Sequence, residues 1–226
     1  MAYILSIETA TTNCSVSLSK NGETLHLKED YGSNGFSHAE KLHIYIDEVL
    51  EAASLKTKDL QAIAISKGPG SYTGLRIGVS AAKGLCFALN IPLISVSTLK
   101  ALACQVNRDN GYVIPVLDAR RMEVYSAVYS TGYNELSPVE AKVLDEFSYA
   151  EFLDKDEVFF IGSGVEKMKG LINHKNAHFI ENKLPSAESM SALAFDKYQK
   201  SNTEDVAYFE PYYLKDFVAI KPKSKL

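Results

Sequence analysis

The same order of predicted elements runs twice along the 226 residues, and each copy carries an acid and a glycine pair at matching places. In the first half, the apolar run Ile4, Leu5, Ile7 predicts a strand buried on both faces, and it ends in Glu8. Cys14–Ser19 alternates apolar and polar residues, which predicts a half-buried strand. Asn21-Gly22 predicts a hairpin turn, with Thr24–Leu27 as the third strand. A loop rich in glycine, serine and asparagine, from Gly32 to Gly35, leads into a predicted helix over Ser37–Ala53. Ser37 and Glu40 there have the spacing of a capping box. Strand Ala62–Ile65, glycines Gly68 and Gly70, helix Tyr72–Leu89 and strand Leu93–Val96 complete this half.

The second half predicts strands over Val113–Leu117, Glu123–Tyr129 and Val139–Leu144, then a short helix near Tyr149–Leu153. Strand Val158–Ile161, glycines Gly162 and Gly164, a helix from about Val165 and another over Ala187–Gln199 follow. Asp118 thus answers Glu8, and Gly162/Gly164 answer Gly68/Gly70. A duplicated βββαβα unit with facing acids predicts the α/β fold of actin-like ATPases (ASKHA fold), whose halves close around a nucleotide. The expected division is an N-terminal lobe over residues 1–98 and a C-terminal lobe over 99–226. A chain of this length buries roughly 70% of its unfolded surface, so one core per lobe suffices without staples.

Composition narrows the function. With 46% hydrophobic and 23% charged residues, the chain has the make-up of a soluble globular protein. Its 24 Lys+Arg against 28 Asp+Glu leave a net charge of −4. A protein that grips nucleic acid unaided usually carries a basic face, so any work on RNA is expected beside a partner. The three cysteines Cys14, Cys86 and Cys104 lack metal spacing and read as reduced thiols. No basic, long apolar leader opens the chain, and a cytoplasmic location is expected.

The segment Gly68-Pro69-Gly70-Ser71-Tyr72-Thr73-Gly74-Leu75-Arg76-Ile77-Gly78 fits neither the dinucleotide fingerprint nor the Walker loop. No acid ends the next strand to hold a ribose. In the helix that follows, Gly74, Gly78, Ala81, Gly84 and Ala88 share one broad side. Each interior glycine costs roughly 1 kcal/mol relative to alanine, so something must approach that side closely. The approaching backbone is either the chain's own core or a partner subunit. The preceding helix has a core stripe of Ala39, Leu42, Tyr45, Ile46, Val49, Leu50 and Ala53, while Ile44 lies nearly opposite among acids. That placement of Ile44 points to a partner surface.

His38 and His43 are five residues apart and do not share a helical face, and there is no HExxH, so no metal site is expected. Cys14, Ser71 and the Thr9–Thr12 turn have hydroxyls or a thiol but no evident base, and structural roles are expected. Glu8 and Asp118 are the stronger candidates, as strand-end acids able to hold hydrated magnesium. The four lysines of Lys215–Leu226 read as a solvated end, with RNA phosphates as the alternative partner.

Ile4-Leu5-Ser6-Ile7-Glu8-Thr9, the Gly68–Gly78 segment, Ala82-Lys83-Gly84-Leu85, Asp118-Ala119-Arg120-Arg121-Met122-Glu123-Val124-Tyr125 and Pro211-Tyr212-Tyr213-Leu214 together resemble the TsaB family. The resemblance covers essentially the whole chain. It implies an actin-like, non-catalytic subunit that pairs with a catalytic paralogue, TsaD, and is joined by a small ATPase, TsaE. TsaD moves a threonylcarbamoyl group from its adenylate to the adenosine beside a tRNA anticodon. No cofactor is implied for this chain; ATP and metal are expected in the partners, and tRNA contact is expected to be indirect. The implied contact with TsaD, or with a second copy, uses the first two helices and hence Ile44, Gly74, Gly78, Ala81, Gly84 and Ala88. Glu8, Thr9, Asp118, Gly162 and Gly164 would be a vestigial nucleotide and magnesium cleft. The family usually has Asp at Glu8, and Leu42 stands where the paralogue's second metal histidine would be needed. The rival reading is a small ATP-dependent kinase that uses Glu8 and Asp118 for magnesium. A protease reading is remote, because no nucleophile or metal constellation supports it.

Overall fold

The computed structural model describes residues 1–30 and 37–215. The expected loop Gly32–Gly35 and the tail beyond Lys215 lie outside the described residues. Strands β1 (Tyr3–Glu8), β2 (Ser15–Lys20) and β3 (Glu23–Glu29) form an antiparallel meander. The turn between β2 and β3 holds Asn21 and Gly22 at φ 51° and 89°, as a tight hairpin requires. Helix α1 (His38–Ala52), strand β4 (Ala62–Ser66), helix α2 (Tyr72–Leu89) and strand β5 (Leu93–Val96) follow. The sheet order is β3-β2-β1-β4-β5.

A short helix α3 (Thr98–Ala103) leads to β6 (Tyr112–Asp118), β7 (Glu123–Ser130) and β8 (Glu135–Val143). Then come α4 (Ala150–Leu153), β9 (Val158–Ile161), α5 (Val165–Lys169), β10 (Ala177–Ile180) and α6 (Ser191–Gln199). The second sheet runs β8-β7-β6-β9-β10 when read from the same edge, so the two sheets share one topology. This duplicated arrangement is the actin-like α/β fold that the element order predicts. Helix α3 and strand β10 escape a pattern reading. Leu99, Ala101, Leu102 and Ala103 are all buried, which leaves α3 no polar face, and β10 has only four half-buried residues.

Helices α1 and α2 cover one face of the first sheet, where Leu42, Ile46, Val79 and Ala82 pack on Leu5, Ile7, Val16 and Leu18. Helix α3 lies between the sheets. Its Ala101 joins Ile4, Ala64 and Ile94 of the first, while Leu99 and Leu102 join Val113, Leu117 and Ile161 of the second. Helices α4 and α5 cover the outer face of the second sheet around Val116, Phe160 and Met168. Helix α6 returns to the first sheet, with Ala194 and Met190 against Ile94. Among the described residues no helix is long and apolar enough to cross a membrane.

Three local expectations are corrected. Strand β2 is buried on both faces, because the chain around Ala187 and helix α6 covers the side carrying Ser15, Ser17 and Ser19. Ser17 Oγ donates to Ala187 O at 2.8 Å, and Ser15 Oγ accepts from Ala187 N at 3.0 Å, so these hydroxyls are satisfied inside. Ser37 precedes α1 without capping it. Its hydroxyl donates to Asp30 Oδ2 at 2.7 Å, and Asp30 also takes Lys41 Nζ at 2.7 Å. Finally, Ala39 is exposed and His38 takes its place in the buried stripe of α1.

Candidate functional site

The expected cleft residues are packed from within. Glu8 is fully buried at the end of β1. Its Oε1 accepts from Ala10 N at 2.6 Å and Ser66 Oγ at 2.9 Å, while buried Oε2 has no hydrogen-bond partner among the described residues. Burial pushes the carboxyl up to about 7, against hydrogen bonds from Ala10, Ser66 and Thr9 that favour the anion. The loop after β1 is filled by α1 and by the glycine segment. Ser71 N donates to Ala10 O at 2.7 Å, and His38 Nε2 meets Thr11 O at 2.8 Å. A Cβ on Gly70 would stand 2.4 Å from Ala10 O, and one on Gly74 2.1 Å from Thr9 O.

The second half does not mirror this. Glu8 lies one residue past the last parallel pair, Ile7 with Ile65, whereas Asp118 lies three past Pro115 with Ile161. Two extra residues at about 3.3 Å each carry Asp118 roughly 7 Å further out, and it is exposed. Its Oδ1 accepts from Lys167 Nζ at 2.5 Å and from Arg120 N at 2.6 Å. Gly162 and Gly164 serve packing on β6. Cβ atoms there would stand 2.3 Å from Val116 O and 2.9 Å from Val124 Cγ1. Among the described residues no hydrogen bond or ion pair links Glu8 to Asp118, Gly162 or Gly164. These residues do not fit a magnesium ion, since one carboxyl is sealed and the other is ion-paired. Among the described residues no three His, Cys, Asp or Glu side chains are grouped to hold a metal.

The nucleophile candidates are equally committed. Burial pushes the Cys14 thiol up to about 11 and the Cys86 thiol to about 12, so neither is a ready thiolate. Ser71 Oγ accepts from Gly74 N at 3.3 Å and caps α2.

The small-residue side of α2 divides. At 100° per residue its five positions span an arc of about 120°, and that arc straddles the seam between core and surface. Gly74 and Gly78 lie on the inner edge and are buried against Thr9. The expectation that they face a partner is corrected: the backbone they admit is the chain's own. Ala81 is half-buried at the seam, while Gly84 and Ala88 are exposed. Among the described residues, a Cβ on Gly84 would meet nothing within 4 Å. Ile44 on α1 is 53% exposed, as expected from its position.

Two hollows meet at Gly84. One, of about 630 Å³, is lined by His43 of α1 and by Arg76, Ile77, Ala81 and Leu85 of α2. The other, of about 600 Å³, runs between Lys83 and Phe87 on one side and Asp205–Ala207 on the other. Phe87 is 84% exposed and Tyr208 83%. The segment beyond α6 is strapped here: Lys83 Nζ donates to Ala207 O and Phe209 O, each at 3.0 Å. Phe87 was legible in principle, since it stands between Gly84 and Ala88 on the polar side of the helix. Tyr208 was not, because only the strap brings it to α2.

Fold and surface together define an actin-like two-lobed protein whose strand-end loops are filled from within and whose open apolar face lies outside α1 and α2. A profile of the family described as TsaD, tRNA N6-adenosine threonylcarbamoyltransferase, matches residues 35–223. The tRNA threonylcarbamoyladenosine biosynthesis protein TsaB of Escherichia coli K12 is 32% identical over 230 residues, covering 96% of each chain. The chain belongs to the TsaB family. TsaB of Haemophilus influenzae is 29% identical and covers 96% of this chain and 95% of its own. The solved structure of YeaZ from Pseudomonas aeruginosa superposes with a TM-score of 0.81 at 28% identity, over 95% of this chain and 100% of that one.

Proposed function

We propose that the chain is a non-catalytic subunit for threonylcarbamoylation of tRNA, pairing with a catalytic TsaD and activating it through the outer face of α1 and α2. The observation that carries this reading is the bare backbone at Gly84 between two hollows, bordered by exposed Phe87, with Ile44 exposed on the neighbouring helix α1. An exposed aromatic beside an open hollow is the usual anchor of a protein interface. The sealed Glu8 carboxyl and the ion-paired Asp118 support an inactive cleft, with ATP and metal held by TsaD and TsaE. The reading places the chain in the cytoplasm, reaches tRNA chiefly through TsaD, and admits a homodimer through the same face in the free protein.

The test is calorimetric pairing of the full chain with its cognate TsaD, comparing wild type with Gly84→Arg. A side chain at Gly84 has open space in the monomer, so the melting temperature is expected to hold while pairing weakens about 100-fold or more, as for loss of a hot spot. Undiminished pairing overturns the interface. The kinase reading is tested separately, by titrating Mg-ATP into the chain alone. Binding at micromolar strength would favour it over the inactive cleft.

A further inference from the structure

The hairpin between β6 and β7 turns through Arg120, Arg121 and Met122. Arg120 has φ 69° and Arg121 φ 50°, so two successive non-glycine residues hold the left-handed region. That conformation is disfavoured for L residues other than Asn, Asp and Gly. The chain uses Asn-Gly where the hairpin between β2 and β3 needs the same backbone. Arginine at both positions runs against local preference, and what it adds is permanent charge and a planar set of donors.

The tip is held firmly. Ala119 N donates to Glu123 O at 3.1 Å, Glu123 N to Arg120 O at 3.2 Å, and Arg120 N to Asp118 Oδ1 at 2.6 Å. Both arginines are exposed, and no hydrogen bond or ion pair engages either guanidinium among the described residues. Two lysines flank them. Lys167 Nζ binds Asp118 Oδ1 at 2.5 Å and Glu123 O at 3.2 Å, while Lys215 Nζ reaches Ala119 O at 3.4 Å and the Glu123 carboxylate. Asp118 and Glu123 offset two of these four cations, so the hairpin keeps two positive charges in excess on a chain whose net charge is −4. Among the described residues each ammonium uses two of its three donors.

We infer that the Arg120–Arg121 tip, flanked by Lys167 and Lys215, contacts the phosphate backbone of RNA. The choice of RNA among polyanions rests on the tRNA reading above. Such contacts position a substrate and carry no sequence information. Binding is therefore modest, salt-dependent and indifferent to base identity.

The experiment measures fluorescence anisotropy of labelled tRNA with the full chain alone, at low and moderate salt. Wild type is compared with the double variant Arg120→Asn/Arg121→Gly and with Arg120→Lys/Arg121→Lys. The Asn/Gly variant is expected to bind at least about fivefold more weakly, with the slope of log affinity against log salt shallower by about 1.4 to 1.8. Its melting temperature is expected to rise, because Asn and Gly suit the backbone. The lysine variant is expected to keep most of the salt slope. Equal affinity and slope for wild type and the Asn/Gly variant overturn the proposal, as does undetectable tRNA binding by wild type at about 50 mM salt. Weaker tRNA binding by a chain that fails to pair with TsaD would sustain the RNA contact and sink the subunit reading. Intact pairing with unchanged tRNA binding would do the reverse.

Discussion

Thr9 occupies the space in which a side chain on Gly78 would begin: a Cβ there would stand 2.2 Å from Thr9 Oγ1 and 3.1 Å from Ile65 Cδ1. The helix that presents the outer face is thus seated on the first sheet by contact between a glycine and the loop after β1. Inner and outer glycines of α2 should respond to substitution in opposite directions.

Gly78→Ala is expected to lower stability by about 1–3 kcal/mol, since overpacking outweighs the helix preference for alanine. Gly84→Ala, with nothing within 4 Å, is expected to raise it by roughly 0.5–1 kcal/mol. Urea unfolding of the two variants settles the matter. A stabilised Gly78→Ala would mean that Thr9 moves aside freely.

Glu8 should make stability depend on pH. Its folded value is raised from 4.5 to about 7, so between those limits the folded chain holds a proton that the unfolded chain has released. The contribution is fully present below about 4.5 and is lost as pH rises to about 7, on the order of 3 kcal/mol at about 1.4 kcal/mol per unit. Glu8→Gln keeps the shape without the titration. Its stability is expected to match wild type near pH 4 and to exceed it at pH 8. Parallel stability curves for the two proteins would show that Glu8 ionises normally.

Ser15 ties the C-terminal return of the chain to β2. Replacing it with alanine leaves buried Ala187 N without its acceptor and is expected to cost about 1–3 kcal/mol. Ser80→Ala, on the exposed side of α2, should stay within about 0.5 kcal/mol. Denaturant midpoints of the pair test the buried hydrogen bond. Equal midpoints would refute it.

Lys83 should govern how firmly the strap lies on α2. Lys83→Met removes the donor to Ala207 O and Phe209 O. Chymotryptic cleavage beside exposed Tyr208 is expected to accelerate severalfold, with little change in the melting temperature, because such segments open locally. Cleavage at the wild-type rate would show that Val206 and Phe209, packed on the first core, hold the strap without the lysine.

The two halves were legible in the residues because strand and helix periods are local. Apolar runs such as Ile4–Ile7 and Val158–Ile161, the Asn21-Gly22 turn and the glycines after β4 and β9 announce their elements over a few residues. The outward position of Ile44 was legible on the same grounds, from its place opposite the core stripe. The capping role assigned to Ser37 failed because Asp30, seven residues earlier, competes for the hydroxyl.

The sequence by itself determined the duplicated βββαβα order, the length of α2 and the presence of small residues along its side. Only the tertiary structure decided which backbone those residues meet. Gly74 and Gly78 are pressed on Thr9, while Gly84, a half-turn of the helix away from the core, stands open. It also decided that Glu8 is sealed while Asp118 is exposed, through a two-residue difference in where each strand outruns its parallel neighbour. Helical period names a face to within a turn. What covers that face depends on loops and returning segments from distant parts of the chain, whose packing no local pattern encodes.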